Sequence, residues 1–136
     1  MKGYLLKEQS ISIGEDLFIE SSASENNFCV MFEDDTETGY FYGGEKDPGT
    51  GQLRILDMVH IYDVASIAEA ERHASVCIIW STDWLRCGLI INNYCHAVFD
   101  FANQGAYNRN EFPPPNSFWT KNERKLSDEM IAFFFQ

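Results

Sequence analysis

Basic residues are scarce in this sequence. Its 136 residues contain 10 lysines and arginines against 21 aspartates and glutamates, so the formal net charge is −11. Nucleic acids and anionic membranes bind proteins through basic surfaces. The composition therefore argues against a nucleic-acid-binding protein and against a protein held on an anionic membrane.

Long apolar runs and paired cysteines are also missing. No stretch approaches the roughly 18 apolar residues of a membrane-spanning helix, and charges interrupt residues 1–8 before they could act as a secretory signal. We therefore expect a soluble cytoplasmic protein. Cys29, Cys77, Cys87 and Cys95 form no C-x-x-C pair, which argues against zinc-ribbon and thioredoxin-like sites. We expect the four thiols to be reduced and buried, and we expect no cofactor.

Negative charge, where it is present, is concentrated early in the chain. Residues 8–47 contain eleven acidic residues and a single base, Lys46. The hydrophobic fraction of 45% is too high for a disordered acidic chain, and the length fits one domain. We therefore expect a single domain over residues 1–136, with an acidic part at residues 1–27.

Alternation of apolar and polar residues indicates β-strands. A Pro/Gly turn at residues 47–51 predicts a hairpin, and the reversals at residues 82–84 and 92–93 predict a three-strand meander. On the strand at residues 55–64, one face collects Leu56, Met58, His60, Tyr62 and Val64. The predicted strands are residues 28–33, 39–45, 55–64, 76–81, 85–92 and 95–101.

The C-terminal third predicts a loop followed by a helix. Residues 102–126 contain three consecutive prolines and several aromatics, which favour an irregular Pro/aromatic loop. Ser127 is a suitable N-cap for a short helix over residues 128–135, and this helix would cover the sheet. Ser66 and Glu69 have the spacing of a capping box, which predicts a turn or two of helix before His73.

Together these patterns predict an α+β fold that is mostly β. We expect one twisted antiparallel sheet of six or seven strands, comprising the hairpin and the meander, with the C-terminal helix at residues 127–136 packed on it.

The acidic block and two tryptophans are the candidate partner-binding residues. Side-by-side carboxylates repel one another unless a cation or a basic partner offsets their charge. Large aromatics in loops often make binding surfaces, although they also pin loops onto sheets. The candidates are Glu33, Asp34, Asp35, Glu37, Trp84 and Trp119.

A second candidate site is a pocket on the sheet. His60 lies between Met58 and Tyr62 on an apolar strand face, so we expect it in the core or in a pocket. His96 and Asp100 share one face of their strand, but about 13 Å separates residues four apart on a strand. The pocket candidates are His60, Tyr62, His96 and Asp100. No nucleophile has the base that catalysis would require, so we assign no catalytic residue and no metal ligand.

Three stretches together resemble a known family: residues 32–42 (FEDDTETGYFY), residues 55–64 (ILDMVHIYDV) and residues 79–101, with FPPP at residues 112–115 downstream. As a set they resemble the DUF2251 family of small uncharacterised bacterial proteins. The similarity runs from about Phe28 to the C-terminus and leaves residues 1–27 outside it. The resemblance implies a bacterial source and a single compact domain, and it brings no established activity.

Two hypotheses about function follow. The first is a non-enzymatic binding protein whose acidic surface engages a basic protein partner, as an immunity or antitoxin-like inhibitor would. The alternative is a small-molecule or divalent-metal-binding domain, or an enzyme, with its pocket on the sheet. The protein would be a monomer or a homodimer, since the aromatic loop or a sheet face could also self-associate.

Overall fold

The computed structural model describes residues 1–136 as nine β-strands and one α-helix. Two single turns of 3₁₀-helix, Val64–Ser66 and Glu69–Glu71, follow the fifth strand. The elements are β1 (Tyr4–Ser12), β2 (Leu17–Ser22), β3 (Phe28–Asp34), β4 (Thr38–Lys46), β5 (Leu53–Asp63), β6 (His73–Trp80), β7 (Arg86–Ile91), β8 (Tyr94–Asp100), β9 (Gly105–Asn108) and α1 (Asp128–Phe134).

The strands form two antiparallel sheets. One sheet has five strands in the order β1-β6-β7-β8-β9, and the other has four in the order β2-β3-β4-β5. The predicted mostly β fold is confirmed, as are the β4–β5 hairpin and the β6–β7–β8 meander. The prediction of one sheet of six or seven strands is wrong, because β1, β2 and β9 were not recognised and the strands divide between two layers.

The main core fills the space between the two sheets. A row of directly opposed residues crosses the four-stranded sheet as Ile19, Phe32, Phe41 and Val59, and all four belong to the buried core. The five-stranded sheet contributes Val76, Ile78, Leu89 and Phe99 to the same core. Each sheet therefore turns one apolar face inwards, as the two-residue period of a strand requires.

Helix α1 covers the other face of the five-stranded sheet. Its predicted N-cap is confirmed, because the Ser127 hydroxyl accepts a hydrogen bond from the Met130 amide at 3.2 Å. Ile131 and the adjoining Phe135 pack with Ile79 and Val98 in a second buried cluster. The molecule thus has three layers, with the five-stranded sheet in the middle.

Local turn chemistry sets two of the three predicted turns. The Asp47 carboxylate accepts hydrogen bonds from the amides of Gly49 and Thr50 at 2.8 and 2.9 Å, closing the loop of the β4–β5 hairpin. Asn92 and Asn93 adopt φ angles of +50° and +65° between β7 and β8. Asparagine is the non-glycine residue that best tolerates this left-handed conformation.

The predicted common face of His60 and Tyr62 is wrong. The β4–β5 register pairs Tyr40 with His60 and Gly39 with Tyr62, so a bulge at Ile61 inserts one extra residue. A bulge of one residue moves the following side chains to the opposite face. Tyr62 therefore joins the buried core beside Ile61, whereas His60 is only half-buried.

A similar irregularity interrupts the alternation of side chains along β8. The β7–β8 pairing steps from Leu89↔Ala97 to Ile90↔Cys95, which leaves His96 as the extra residue. Ala97 then faces the core between the sheets, while Cys95 lies in the cluster beneath helix α1. Like Cys29 and Cys87, Cys95 is a buried free thiol, and Cys77 is half-buried.

Two further predictions need correction. The predicted helical turns before His73 are present as 3₁₀ turns, but the predicted capping box is wrong, because Ser66 ends the first turn and no side chain caps the second. The loop at residues 102–126 contains β9, which pairs with the end of β8. Beyond β9, the buried Arg124 holds the loop by donating to the Asp57 carboxylate at 3.1 Å and to the Ala106 carbonyl at 3.0 Å.

Candidate functional site

One face of the four-stranded sheet is not covered by another element. Helix α1 packs on the other sheet, and the proline loop meets this face at His60, through Phe112 and Asn110. Residues directly opposite one another on neighbouring strands share a face. Two such rows define what we call the open face: Phe18, Glu33, Tyr40 and His60 in one, and Glu20, Met31, Tyr42 and Met58 in the other.

Aromatic rings follow one another across the open face. The Tyr40 ring centroid lies 6.3 Å from that of Tyr42 and 6.0 Å from that of His60. His60 in turn meets Phe112, from the proline loop, at 5.9 Å. Phe18, on the edge strand β2, is 60% exposed and Phe112 is 54% exposed. The face therefore presents a strip of four rings that runs from Tyr42 to Phe112. Phe18 adds exposed apolar surface at the opposite edge, where Glu33 separates it from Tyr40.

A carboxylate is fixed beside this strip. The Tyr42 hydroxyl donates a hydrogen bond to Glu33 Oε1 at 2.9 Å. Partial burial, together with the neighbouring Glu33 carboxylate, raises the pKa of Tyr42 to about 12. Tyr42 is therefore a neutral donor at physiological pH, and its hydroxyl fixes the Glu33 side chain next to the rings.

His60 is locked in place at both ring nitrogens. Its Nε2 lies 2.9 Å from Asp63 Oδ1, and its Nδ1 lies 2.7 Å from the Asn110 side-chain nitrogen. An amide nitrogen can only donate, so Nδ1 accepts and Nε2 carries the proton that is shared with Asp63. The Asn110 oxygen also accepts from the Phe112 amide at 2.9 Å. His60 thus ties the proline loop to β5 and has no free nitrogen to act as a base.

Negative charge surrounds the open face. The β3–β4 turn carries Asp35 and Glu37, and backbone hydrogen bonds from Glu37 and Thr38 lower the pKa of Asp35. The base on the face, Lys46, is held by Glu20 at 2.8 Å. Five carboxylates lie on the face or at its end: Glu20, Glu33, Asp35, Glu37 and Asp63.

Asp34, predicted as a partner-binding residue, is fully buried. Its carboxylate accepts hydrogen bonds from the Tyr62 hydroxyl at 2.7 Å and from the amides of Gly14 and Thr36, each at 2.8 Å. Burial and the Asp34 carboxylate raise the pKa of Tyr62 well above its usual value. The pair fastens the β3–β4 turn to the β1–β2 connection, so Asp34 has no surface with which to touch a partner.

The two tryptophan candidates also pack against the molecule itself. Trp119 is 9% exposed and lies 5.9 Å from Phe99 and 5.7 Å from Phe101 between ring centroids. Trp84, at a φ of +63°, stacks on Tyr4 at 4.6 Å. Both rings pin loops onto the sheets, which was the alternative interpretation of these residues, and neither borders the open face.

The four predicted pocket residues do not form a common pocket. Tyr62 is directed into the core and His60 into the open face, as described above. Asp100 is 1% exposed and bonds the Arg86 guanidinium at 3.0 Å. Burial and the nearby Arg109 lower the pKa of His96 to about 4, and its ring contacts Tyr94 at 4.9 Å. No hydrogen bond or ring contact joins any two of the four.

The structure was also searched for metal-binding groups and for membrane-spanning helices. No group of three or more His, Cys, Asp or Glu side chains is placed to hold a metal ion. No helix is both long and apolar enough to span a membrane.

Sequence reasoning missed most of the open face. Tyr40 and Tyr42 alternate with the buried Phe41, so the period-two rule could have assigned them to the outer side of β4. Phe18 and Glu20 lie in the segment 1–27, where β2 was not predicted. The structure brings three of the predicted partner-binding residues together with these rings: Glu33, Asp35 and Glu37.

Comparison with known proteins identifies a family and adds no activity. No solved structure matches the chain. An uncharacterised protein of Haemophilus influenzae is 43% identical over 99 residues, which are 71% of this chain and 60% of that protein. The chain therefore spans less than two thirds of this relative's length. The family model for an uncharacterised protein conserved in bacteria matches residues 11–135. The match begins earlier than the expected start near Phe28 and includes β2 and the whole open face, and the chain belongs to the DUF2251 family.

Proposed function

We propose that this protein is a non-enzymatic binding protein that engages a basic protein partner through the open face. The observation that carries the proposal is the combination of an uncovered sheet face, a strip of aromatic rings and a surrounding set of carboxylates with one lysine, itself already paired. We expect the encounter in the cytoplasm, because the four cysteines are free thiols and disulfides are rare in reducing compartments.

The chemistry of the face suits arginine and lysine side chains. A cation over an aromatic ring is stabilised by about 0.5–2 kcal/mol, depending on how far it is desolvated. Glu33 lies beside the Tyr42 ring, so one partner cation could contact a ring and a carboxylate together. Surrounding charges of one sign also speed the approach of an oppositely charged partner, and added salt weakens this effect.

The groups that could perform covalent catalysis are occupied or protonated. Both nitrogens of His60 are hydrogen-bonded. Burial raises the pKa of Cys95 to about 11 and raises that of Cys87 well above its usual value. A thiol is nucleophilic only as the thiolate, so these residues favour a binding role.

The class of partner we favour is a protein that itself binds nucleic acid. Such proteins carry basic surfaces, and an acidic protein that covers this surface inhibits them. This is the physical basis of an immunity or antitoxin-like role. The alternative, a small-molecule or metal site, depended on His60, Tyr62, His96 and Asp100 lining one pocket, and these side chains are separate, so we do not propose it.

The test is capture of a partner by matched charge-reversal variants. Immobilised wild-type protein is exposed to bacterial lysate at low salt, and the retained proteins are identified after elution with high salt. We expect a partner of high isoelectric point whose retention falls at least about tenfold for E33K/E37K, because two carboxylates of the open face become lysines.

The control is E123K/E129K, which changes the net charge equally at exposed positions of the loop beyond β9 and of helix α1. This variant should retain the partner. Failure to recover a basic protein would refute the proposal, and equal loss with both variants would show that bulk charge, and not the open face, binds the partner.

A further inference from the structure

An apolar cleft opens between the sheets at a place separate from the open face. It measures about 430 Å³ and is lined mainly by six apolar residues: Phe28, Ile55, Leu56, Phe101, Phe118 and Trp119. The Phe28 and Phe101 rings stack at 4.4 Å on its inner side. The cleft is therefore an aromatic recess whose size and lining suit a large apolar side chain.

One of the side chains that line this recess projects outwards from it. Phe118 is 87% exposed, the highest value among the large hydrophobic residues of the chain, and Ile55 and Leu53 nearby are 50% and 39% exposed. Ser117, immediately before it, has a φ of +68°, and the Phe118 amide bonds the Asn116 side chain at 3.0 Å. The loop thus holds one phenylalanine outwards at the margin of an unfilled apolar cleft.

The charge of this region differs from that of the rest of the surface. The charged residues that line the cleft are Glu45 and Arg54, and they bond each other at 2.8 Å. The region is therefore neutral on a chain whose net charge is −11. A basic partner would gain little electrostatic attraction here. Two copies of the acidic chain, however, can approach one another at this region without strong repulsion.

We propose that this cleft is the interface of a homodimer in which Phe118 of each copy enters the cleft of the other. A two-fold interface uses the same surface on both subunits, so it must carry the projecting group and its recess together. This region carries both, with Ile55 and Leu53 at its margin. β5 is an edge strand, and its residues 53–56 make no backbone hydrogen bonds beyond the β4–β5 hairpin, so the approach of a second copy is not obstructed by another strand.

Sedimentation equilibrium from about 10 to 300 µM protein tests the proposal. Wild-type protein should approach twice the 15.6 kDa mass of the chain as the concentration rises. F118A should weaken dimerisation at least about 100-fold, because each dimer loses two inserted rings. F133A is the matched control, since Phe133 is 61% exposed on helix α1, and it should dimerise like wild type.

Folding is verified separately by thermal melting, which F118A should leave nearly unchanged because the ring is exposed. A wild-type protein that remains monomeric at 300 µM would overturn the proposal. A dimer that persists in F118A, or that is lost equally in F133A, would also overturn it, because the interface would then lie elsewhere. The basic partner proposed above binds the open face, so its capture by F118A distinguishes failure of this proposal from failure of the proposed function.

Discussion

The two sheets differ in what covers their outer faces. On the five-stranded sheet, the outward residues Ile79, Cys95 and Val98 are apolar, and Ile131 and Phe135 bury them. Where helix α1 lies, this sheet is therefore enclosed on both sides, like the middle layer of a three-layer fold, whereas its edge strand β1 is exposed over Tyr4–Ser10. The side chains beneath the helix contribute to stability and are not available to a partner.

The four-stranded sheet is enclosed on one side only. Its outward side chains combine rings and carboxylates, as in Tyr40, Tyr42 and Glu33, and most are half-buried. Such residues tolerate water at their polar ends and still offer apolar area. Both sheets are built from the same two-residue alternation, but one has a covered outer layer and the other a candidate recognition surface. The residue types on the outward face distinguish the two sheets.

Removing helix α1 should expose the outer face of the five-stranded sheet, and we expect this to have the largest effect on stability. A chain ending at residue 125 loses Leu126, Ile131 and Phe135 from the second cluster. Burying an aliphatic or aromatic side chain contributes about 1.5–3 kcal/mol, so we expect a loss of about 5 kcal/mol or more, comparable to the whole stability of a small domain. The truncated protein should aggregate and bind a hydrophobic dye.

The intact protein is the control for this experiment, because its open face is already uncovered. Wild-type protein should stay soluble, because its exposed rings are interspersed with carboxylates. A 1–125 chain that is soluble and melts cooperatively would contradict the assignment of helix α1 as an essential cover.

Two neighbouring residues of β4 allow the stability contributions of the core face and the open face to be compared directly. Phe41 is fully buried and meets the Phe99 ring at 5.4 Å, whereas Tyr42 lies half-buried on the open face. We expect F41A to lower the free energy of unfolding by about 3–5 kcal/mol and Y42A by about 1 kcal/mol. Urea unfolding of both variants measures the difference, and equal losses would mean that the open face is covered.

Much of the fold was predictable because its signals are local. Ser127 begins helix α1, and Asn92-Asn93 reverses the chain, because cap and turn residues act within a few positions. The missed strands lack such signals. β1 is exposed at its first seven residues, Tyr4–Ser10, so it shows no buried alternation, and β9 has only four residues within a proline-containing loop.

The candidate site was only partly predictable, because register decides which residues meet. The acidic block identified Glu33, Asp35 and Glu37 from their charge alone. The burial of Asp34 depends on Gly14 and Tyr62, which are 20 and 28 positions away. The bulge at Ile61 that separates His60 from Tyr62 left no composition signal, since it arises from the pairing of two strands.

His96 should make the stability of the protein depend on pH. It lies on β8 of the enclosed sheet, where burial and Arg109 lower its pKa to about 4. An unfolded histidine has a pKa near 6.5, so between about pH 4 and pH 6.5 the unfolded chain binds a proton that the folded chain does not. Stability should therefore fall as the pH drops through this window, by about 3 kcal/mol at most, and should be unaffected by His96 above it.

The measurement is an NMR titration of His96 together with urea unfolding at pH 7 and pH 5. H96Q removes the titrating group, so it should lose less stability between these two pH values than wild type does. H73Q, at an exposed position of β6, measures the effect of replacing a histidine outside that environment. A His96 titration midpoint near 6.5 would contradict the prediction, because an imidazole that charges freely in the folded protein is neither desolvated nor opposed by Arg109.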